Sequence, residues 1–419
     1  MQNIFSKRNL VIAVAIILIL GGAAYWYFFS RNTSNAPANS NSSPGFLSRL
    51  FPTSGNRPTN QAGNQNPGNN AGTTAPETNI PNSTLSQLIS ANISGAAFIY
   101  PHTNKVGVGV KGSSASTGKI RYIERSSGHV FEIDPDGKNQ NRTSNTTIPG
   151  IFDVVWSSAG DRAILKYISG NNLNILSARF TASSTQGIFL SPDIKNITFS
   201  PAGDRIAYVT AQNNETQIIT ATPDNKSQRV IFRSPYSSWR VYWPEAGSIY
   251  IVNSPSATLD GFLYKVSVQT GTMEKITGPL LGLNVAGNSK NFFASQSLPG
   301  EGTISSSVIN LKAKEIKPTT LKIIPEKCVW SKKDLNVAYC GIPLPLPEAI
   351  YPDDWYQGKV SFSDIFAKIN ASTLAVQTLQ IGEIDITKPF LDADEKAAFF
   401  INKKDGSLWK ADLNKLVAN

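Results

Sequence analysis

From about residue 90 to the C-terminus, short apolar runs alternate with clusters of Gly, Pro, Asn and Asp. Segments such as Ile197–Phe199, Ile206–Thr210 and Ile249–Val252 are rich in β-branched and aromatic residues, the composition of short strands. No run of helical periodicity in this region exceeds about two turns. Two of the segments are copies of one unit. Phe199-Ser-Pro-Ala-Gly-Asp-Arg-Ile-Ala-Tyr208 and Trp156-Ser-Ser-Ala-Gly-Asp-Arg-Ala-Ile-Leu165 lie 43 positions apart. Each reads as an aromatic closing one strand, a Gly/Asp turn and a second apolar strand. Looser copies begin at Trp243, Trp330 and Leu391, with a weak one near Val285. A second series, Val130-Phe131, Ile175-Leu176, Ile218-Ile219, Leu263-Tyr264, Ser307-Val308, Ile365-Phe366 and Leu408-Trp409, recurs at intervals of 45, 43, 45, 44, 58 and 43 residues.

A period of about 40–45 residues with several short strands per period is the pattern of propeller blades, and seven occurrences predict an all-β, seven-bladed β-propeller. An irregular β-sandwich would need two independent series to share one period by chance. The last unit stops after Leu408–Asp412, so its fourth strand should come from the N-terminal end of the domain. Either Ala96–Tyr100 or the segment just before it could serve.

Ahead of the repeats the pattern changes. Residues 10–29 are uncharged and end in Tyr25-Trp26-Tyr27-Phe28-Phe29. At 1.5 Å per residue this stretch matches a hydrocarbon core of about 30 Å, and the aromatic cluster suits an interface. A cleavable signal would share the basic start at Lys7 and Arg8, but the five aromatics extend beyond any cleavage site near Ala24. The reading is therefore a cytoplasmic N-terminus at 1–9, a single-pass anchor at 10–29 and a propeller outside the cytoplasm. Residues 30–90, dominated by Asn, Ser, Pro, Gly and Thr, read as a flexible linker before a domain at 91–419. Within it, Phe46–Phe51 is a short apolar interruption, too small to bury much surface.

Charge and cysteines narrow the partners. The chain carries a formal charge of +10, yet residues 91–419 hold 34 basic and 28 acidic residues without a basic run or a basic-aromatic stripe. Nucleic-acid binding gains no support, and the export signal opposes it. Cys328 and Cys340 are equidistant from Asp334 in one hairpin, which places them nearly opposite on adjacent strands. They read either as a disulfide of an oxidising compartment or as two neighbouring buried thiols, since a one-residue shift would send them to opposite faces.

The search for chemistry returns little. There is no nucleophile elbow, and the two histidines, His102 and His129, have no neighbours with metal-ligand spacing, so neither a metal nor a cofactor is expected. Asp134-Pro-Asp-Gly137 begins like a calcium loop but lacks its distal acid and reads as a hairpin turn. Asp405-Gly-Ser-Leu-Trp409 reads as a blade turn.

The unit at Phe199–Tyr208, with its copy at Trp156, resembles the repeat of the TolB-type, WD-repeat-like bacterial β-propellers, in the form aromatic-Ser-Pro-Asp-Gly followed by a strand. The resemblance spans roughly residues 96–413, with Ala202 standing where that repeat usually has Asp. It implies the fold and a role as an interaction scaffold, with catalysis in a minority of such proteins.

One segment departs from the period. Ile342–Gly358 holds four prolines, the acidic pair Asp353 and Asp354, and adjacent Trp355 and Tyr356. Such a loop should fall between the second and third strands of its blade, on the face of the blade-to-blade connections. Two roles stay open for it: a recognition loop presenting Trp355 and Tyr356 to a partner, with Asp353 and Asp354 beside them, or a lid packed over the channel. The function expected is a membrane-tethered binding scaffold of the cell envelope for a protein or a wall polymer. The alternative is a glycan- or peptide-processing enzyme using carboxylates such as Asp353, Asp354 and Asp260 at the channel mouth.

Overall fold

A computed structural model describes residues 84–100, 118–181, 185–212 and 215–418, all within the compact unit Pro76–Asn419. The proposed anchor at 10–29, most of the linker and His102 lie outside the described residues. Among the described residues no helix is long and apolar enough to cross a membrane.

The described chain forms seven antiparallel sheets, the blades of a closed ring. Six blades are contiguous in sequence, with inner strands Ile93–Ile99, Ile151–Trp156, Asn196–Phe199, Trp239–Glu245, Asn284–Gly287 and Cys328–Trp330. Blade seven takes Ile386–Leu391, Ala397–Asn402 and Leu408–Asp412 from the C-terminal end, and Leu85–Ile89 pairs outside them. The closing strand is thus the segment before Ala96–Tyr100. The latter falls largely in the inner strand of blade one, and the propeller begins inside the span read as linker. Val417–Ala418 then adds to the outer strand Val376–Gln380 of blade six.

The two sequence series occupy equivalent places from blade to blade, the second in all seven and the first in blades two to seven. Trp156, Phe199, Trp330 and Leu391 end inner strands, Trp243 and Val285 lie within them, and the second series lies in the third strands. The Gly/Asp unit is a turn whose chemistry is repeated atom for atom. Ser157 Oγ donates to Asp161 Oδ1 at 2.8 Å and accepts from the Arg162 amide. Ser200 does the same with Asp204 and Arg205. Gly160 and Gly203 sit at φ of 69° and 75°, the left-handed conformation that glycine adopts without steric penalty. Asp134–Gly137 is likewise a hairpin turn, closed by the Gly137 amide on the Asp134 carbonyl.

Burial follows position in the blade. The second strands Val337–Pro343 and Ala397–Asn402 are buried throughout, because neighbouring blades cover both faces, whereas the outer strand Met273–Leu281 is largely exposed. Seven apolar clusters fill the seams between blades, as with Tyr339, Phe366, Ile386 and Phe400 between blades six and seven. An eighth cluster lies beneath the insertion. Cys328 and Cys340 face each other in register on the first two strands of blade six and form a disulfide.

Candidate functional site

The insertion spans 344–363, between the second and third strands of blade six. Its one helical turn, Asp353–Tyr356, carries the residues singled out from the sequence. Trp355 is buried, at 4% exposure, against Tyr351, Phe362, Ile304 and Ile324. It is therefore not an anchor offered to a partner, and that expectation is corrected. An indole gains more by leaving water than by facing it, and the blade register gave no information about a residue outside the repeat. Asp353 accepts from the Ala257 amide at 2.6 Å, and Asp354 accepts from the Ile350 amide and pairs with Lys359, each at 2.9 Å. The hydrogen bond from Ile350, together with Lys359, holds the Asp354 carboxyl below its usual range. Asp353 fastens the loop to blade four, and Asp354 ties the loop to itself. Asp260 is exposed at the start of a third strand in blade four.

Beneath the loop lies a charged cluster the sequence reading missed. Lys327, wholly buried, pairs with Asp385 and sits 2.8 Å from Asp364. Its ammonium lies 4.8 Å from the Phe362 ring centre and 5.3 Å from that of Trp355. The Lys403 ammonium also lies over the Trp355 ring, 4.7 Å from its centre, and donates to the Trp355 carbonyl. Burial pushes the Asp364 carboxyl up to about 6 against the pull of Lys327. Removing one member of such a cluster strands another charge out of water, so the insertion rests on a polar foundation that resists displacement. The run Leu321–Trp330 also carries Lys322 and Glu326, so nothing in the sequence marked Lys327 as the buried charge.

Tyr356 remains at the surface and faces the channel. Its hydroxyl donates to Glu326 at 3.0 Å and accepts from Arg240 at 3.1 Å and Asn284 at 3.2 Å. Arg240 also pairs with Glu326 at 2.5 Å, and its guanidinium lies 5.1 Å from the Tyr356 ring centre. Burial, then the Glu326 charge, raises the Tyr356 hydroxyl well above its ordinary value, so it stays protonated and can donate. Burial and Glu326 likewise push Tyr242, beside Arg240, up to about 12. Arg240 belongs to blade four, whereas Glu326 lies in the short turn Pro325–Lys327 that leads into the inner strand of blade six, so the pair reaches past blade five at the channel mouth.

A cavity of about 710 Å³ opens beside this network, lined by Lys195, Asn196, Thr198, Ser237, Ser238, Arg240, Tyr242, Ser254 and Glu326 among others. Its wall is dominated by hydroxyl, amide and charged groups. Lys195 is exposed, and its ammonium has no partner among the described residues. Elsewhere in the channel, Lys388 of blade seven reaches Asp153 of blade two at 3.0 Å, and Lys166 joins at 3.1 Å. Burial works against the Asp153 charge, yet the two ammonium groups hold its carboxyl down at about 2. Among the described residues no group of three His, Cys, Asp or Glu side chains is placed to hold a metal.

These features define a seven-bladed β-propeller with a lidded polar mouth. Among solved structures the chain is similar to an oligogalacturonate lyase from Vibrio parahaemolyticus, at 9% identity and a TM-score of 0.53 over 80% of this chain and 95% of that one. A further oligogalacturonate lyase, solved in complex with manganese, matches at 8% identity and a TM-score of 0.51 over 72% and 86% of the two chains. TolB from Acinetobacter baumannii matches at 8% identity and a TM-score of 0.41 over 70% and 62%. At these identities the likeness is one of fold alone. No protein-family model matches the chain, and no curated protein matches it in sequence.

Proposed function

We propose that the chain is a membrane-tethered, extracytoplasmic propeller that binds a polar wall polymer of the cell envelope at the mouth beside the insertion. The observation that carries this reading is the 710 Å³ cavity with Arg240, Glu326 and Lys195 in its lining. Hydroxyl and amide groups suit a hydroxyl-rich chain, and the unpartnered Lys195 ammonium favours one that bears negative charge. The insertion stands beside this seat and acts on it through Tyr356, whose hydroxyl holds the lining residues Arg240 and Glu326. The apolar stretch 10–29 and the polar residues after it support the tether. Glycan or peptide processing would need carboxylates converging on one substrate atom, and Asp353 and Asp354 instead serve two different backbone amides.

One experiment tests both parts. Protease applied to intact cells should release a fragment beginning between residues 31 and 84, and that fragment should sediment with purified anionic wall polymer. Lys195→Glu should weaken sedimentation about tenfold at low salt, since a reversed charge acts directly on an anionic ligand. A domain fully protected from protease overturns the topology. Equal sedimentation of the variant overturns the seat.

A further inference from the structure

The opposite mouth of the channel, on the side of the hairpin turns, is built differently. A cavity of about 480 Å³ opens there, lined by residues of blades one, two, six and seven. Tyr100, Trp156, Trp330 and Phe390 each contribute a half-buried ring. Trp156 and Trp330 are the aromatics of the repeat. In blades three and four the equivalent Phe199 and Trp243 are buried at 6% exposure, so the repeat alone does not require a ring to face the channel. Apolar walls with a few polar groups are the usual composition of a small-ligand site of this volume.

The charge at the rim is uneven. Glu395 accepts from Ser331 Oγ and from the amides of Lys332 and Lys333, and Asp392 accepts from those of Lys396 and Ala397. Both carboxylates are therefore turned into the hairpins. Lys332 has no carboxylate partner among the described residues. Its ammonium donates to the Tyr100 hydroxyl at 2.7 Å and lies 4.6 Å from that ring's centre. It stands exposed at the edge of the aromatic cavity.

We propose that this mouth is a second binding site, independent of the polar seat, for a ligand with an apolar or aromatic body and one carboxylate. The body fills the space between the four rings, and Lys332 receives the carboxylate. Desolvating the body supplies most of the affinity, and the charge selects acids over amides. Such chemistry comes either from a free aromatic acid or from the C-terminal residue of a peptide.

Ligand-observed NMR and calorimetry on the intact protein distinguish these outcomes. The probes are N-acetyl-phenylalanine, its uncharged amide, and an acetylated Ser-Gly-Ser-Phe peptide with a free C-terminus. The acids should bind in the millimolar range or tighter, the amide at least tenfold more weakly. Lys332→Glu should weaken both acids at least tenfold with an unchanged melting temperature, because Lys332 is exposed and, among the described residues, its side chain contacts only Tyr100. The tighter of the two acids identifies the source. No binding of either acid at millimolar concentration, equal binding of the amide, or an unaffected Lys332→Glu variant would each overturn the proposal.

Discussion

The two mouths of one channel use aromatic residues in opposite ways. At the insertion side Trp355 lies inside the protein, in contact with Lys327 and Lys403 and stacked on Phe362 at 6.0 Å, and the surface left to a ligand is polar. At the turn side Tyr100 and Trp330 remain half-exposed, and the rim carboxylates are drawn into hairpins while Lys332 stays exposed. An aromatic pair in an inserted loop is therefore not evidence of a binding surface. What decides is whether the loop has something to bury the ring against. Here the connections leading into blades six and seven supply Ile324, Lys327 and Asp385, and Phe362 comes from the loop itself.

The sharpest way to break this contrast is to truncate one ring at each mouth. Trp355→Ala should cost about 3–5 kcal/mol of stability, the range for a large buried aromatic. Tyr100→Ala should cost about 1 kcal/mol or less, as for a ring at a surface. Urea unfolding of both variants measures the difference, and equal costs would remove the distinction between the mouths.

Acid should separate the two charged clusters with opposite signs. Asp364, under the insertion, titrates at about 6 when folded against an ordinary 3.8. Between these values the folded state binds more protons than the unfolded one, so this group makes stability fall as pH rises from about 4 to 6. Asp153, in the channel, titrates at about 2 when folded. Its contribution is complete above the ordinary value and is lost as pH falls from about 4 towards 2. Each shift of roughly two units corresponds to about 2–3 kcal/mol. Urea midpoints across this range should show Asp364→Asn flattening the upper slope and Asp153→Asn the lower one. A slope unaffected by its own variant would refute the assignment.

The smallest effect expected is at the repeat turn beside the aromatic mouth. Ser157→Ala removes the bonds to Asp161 and the Arg162 amide and should cost about 1 kcal/mol. Ser157 also lines the aromatic cavity, but its hydroxyl is committed to the turn, so ligand affinity at that mouth should stay unchanged in the same calorimetry. A changed affinity would show that the turn shapes the cavity and does not merely close the blade.

Much of the architecture was legible because the repeat is a local code. A Ser, Gly and Asp at fixed offsets form a turn by their own hydrogen bonds, and strands that alternate with such turns every 40–45 residues have few ways to bury themselves. The seven third strands and the aromatic ends of the inner strands could be placed from spacing alone. The closing strand could not, because Leu85–Ile89 and Ile93–Ile99 are both short and apolar, and only the pairing with Leu408–Ala411 separates them.

The candidate sites lay beyond the sequence for the same physical reason. Spacing placed Cys328 and Cys340 near each other, but only the strand register put them on one face. Arg240, Asn284, Glu326 and Tyr356 are scattered over more than 100 positions and meet only when the ring closes. The same holds for Tyr100 and Lys332, which are 232 positions apart. By itself the sequence determined the blade, its turn and the number of repeats, because these depend on contacts between near neighbours along the chain. Tertiary structure alone decided which rings are core and which face a ligand, because burial depends on what the closed ring brings opposite them.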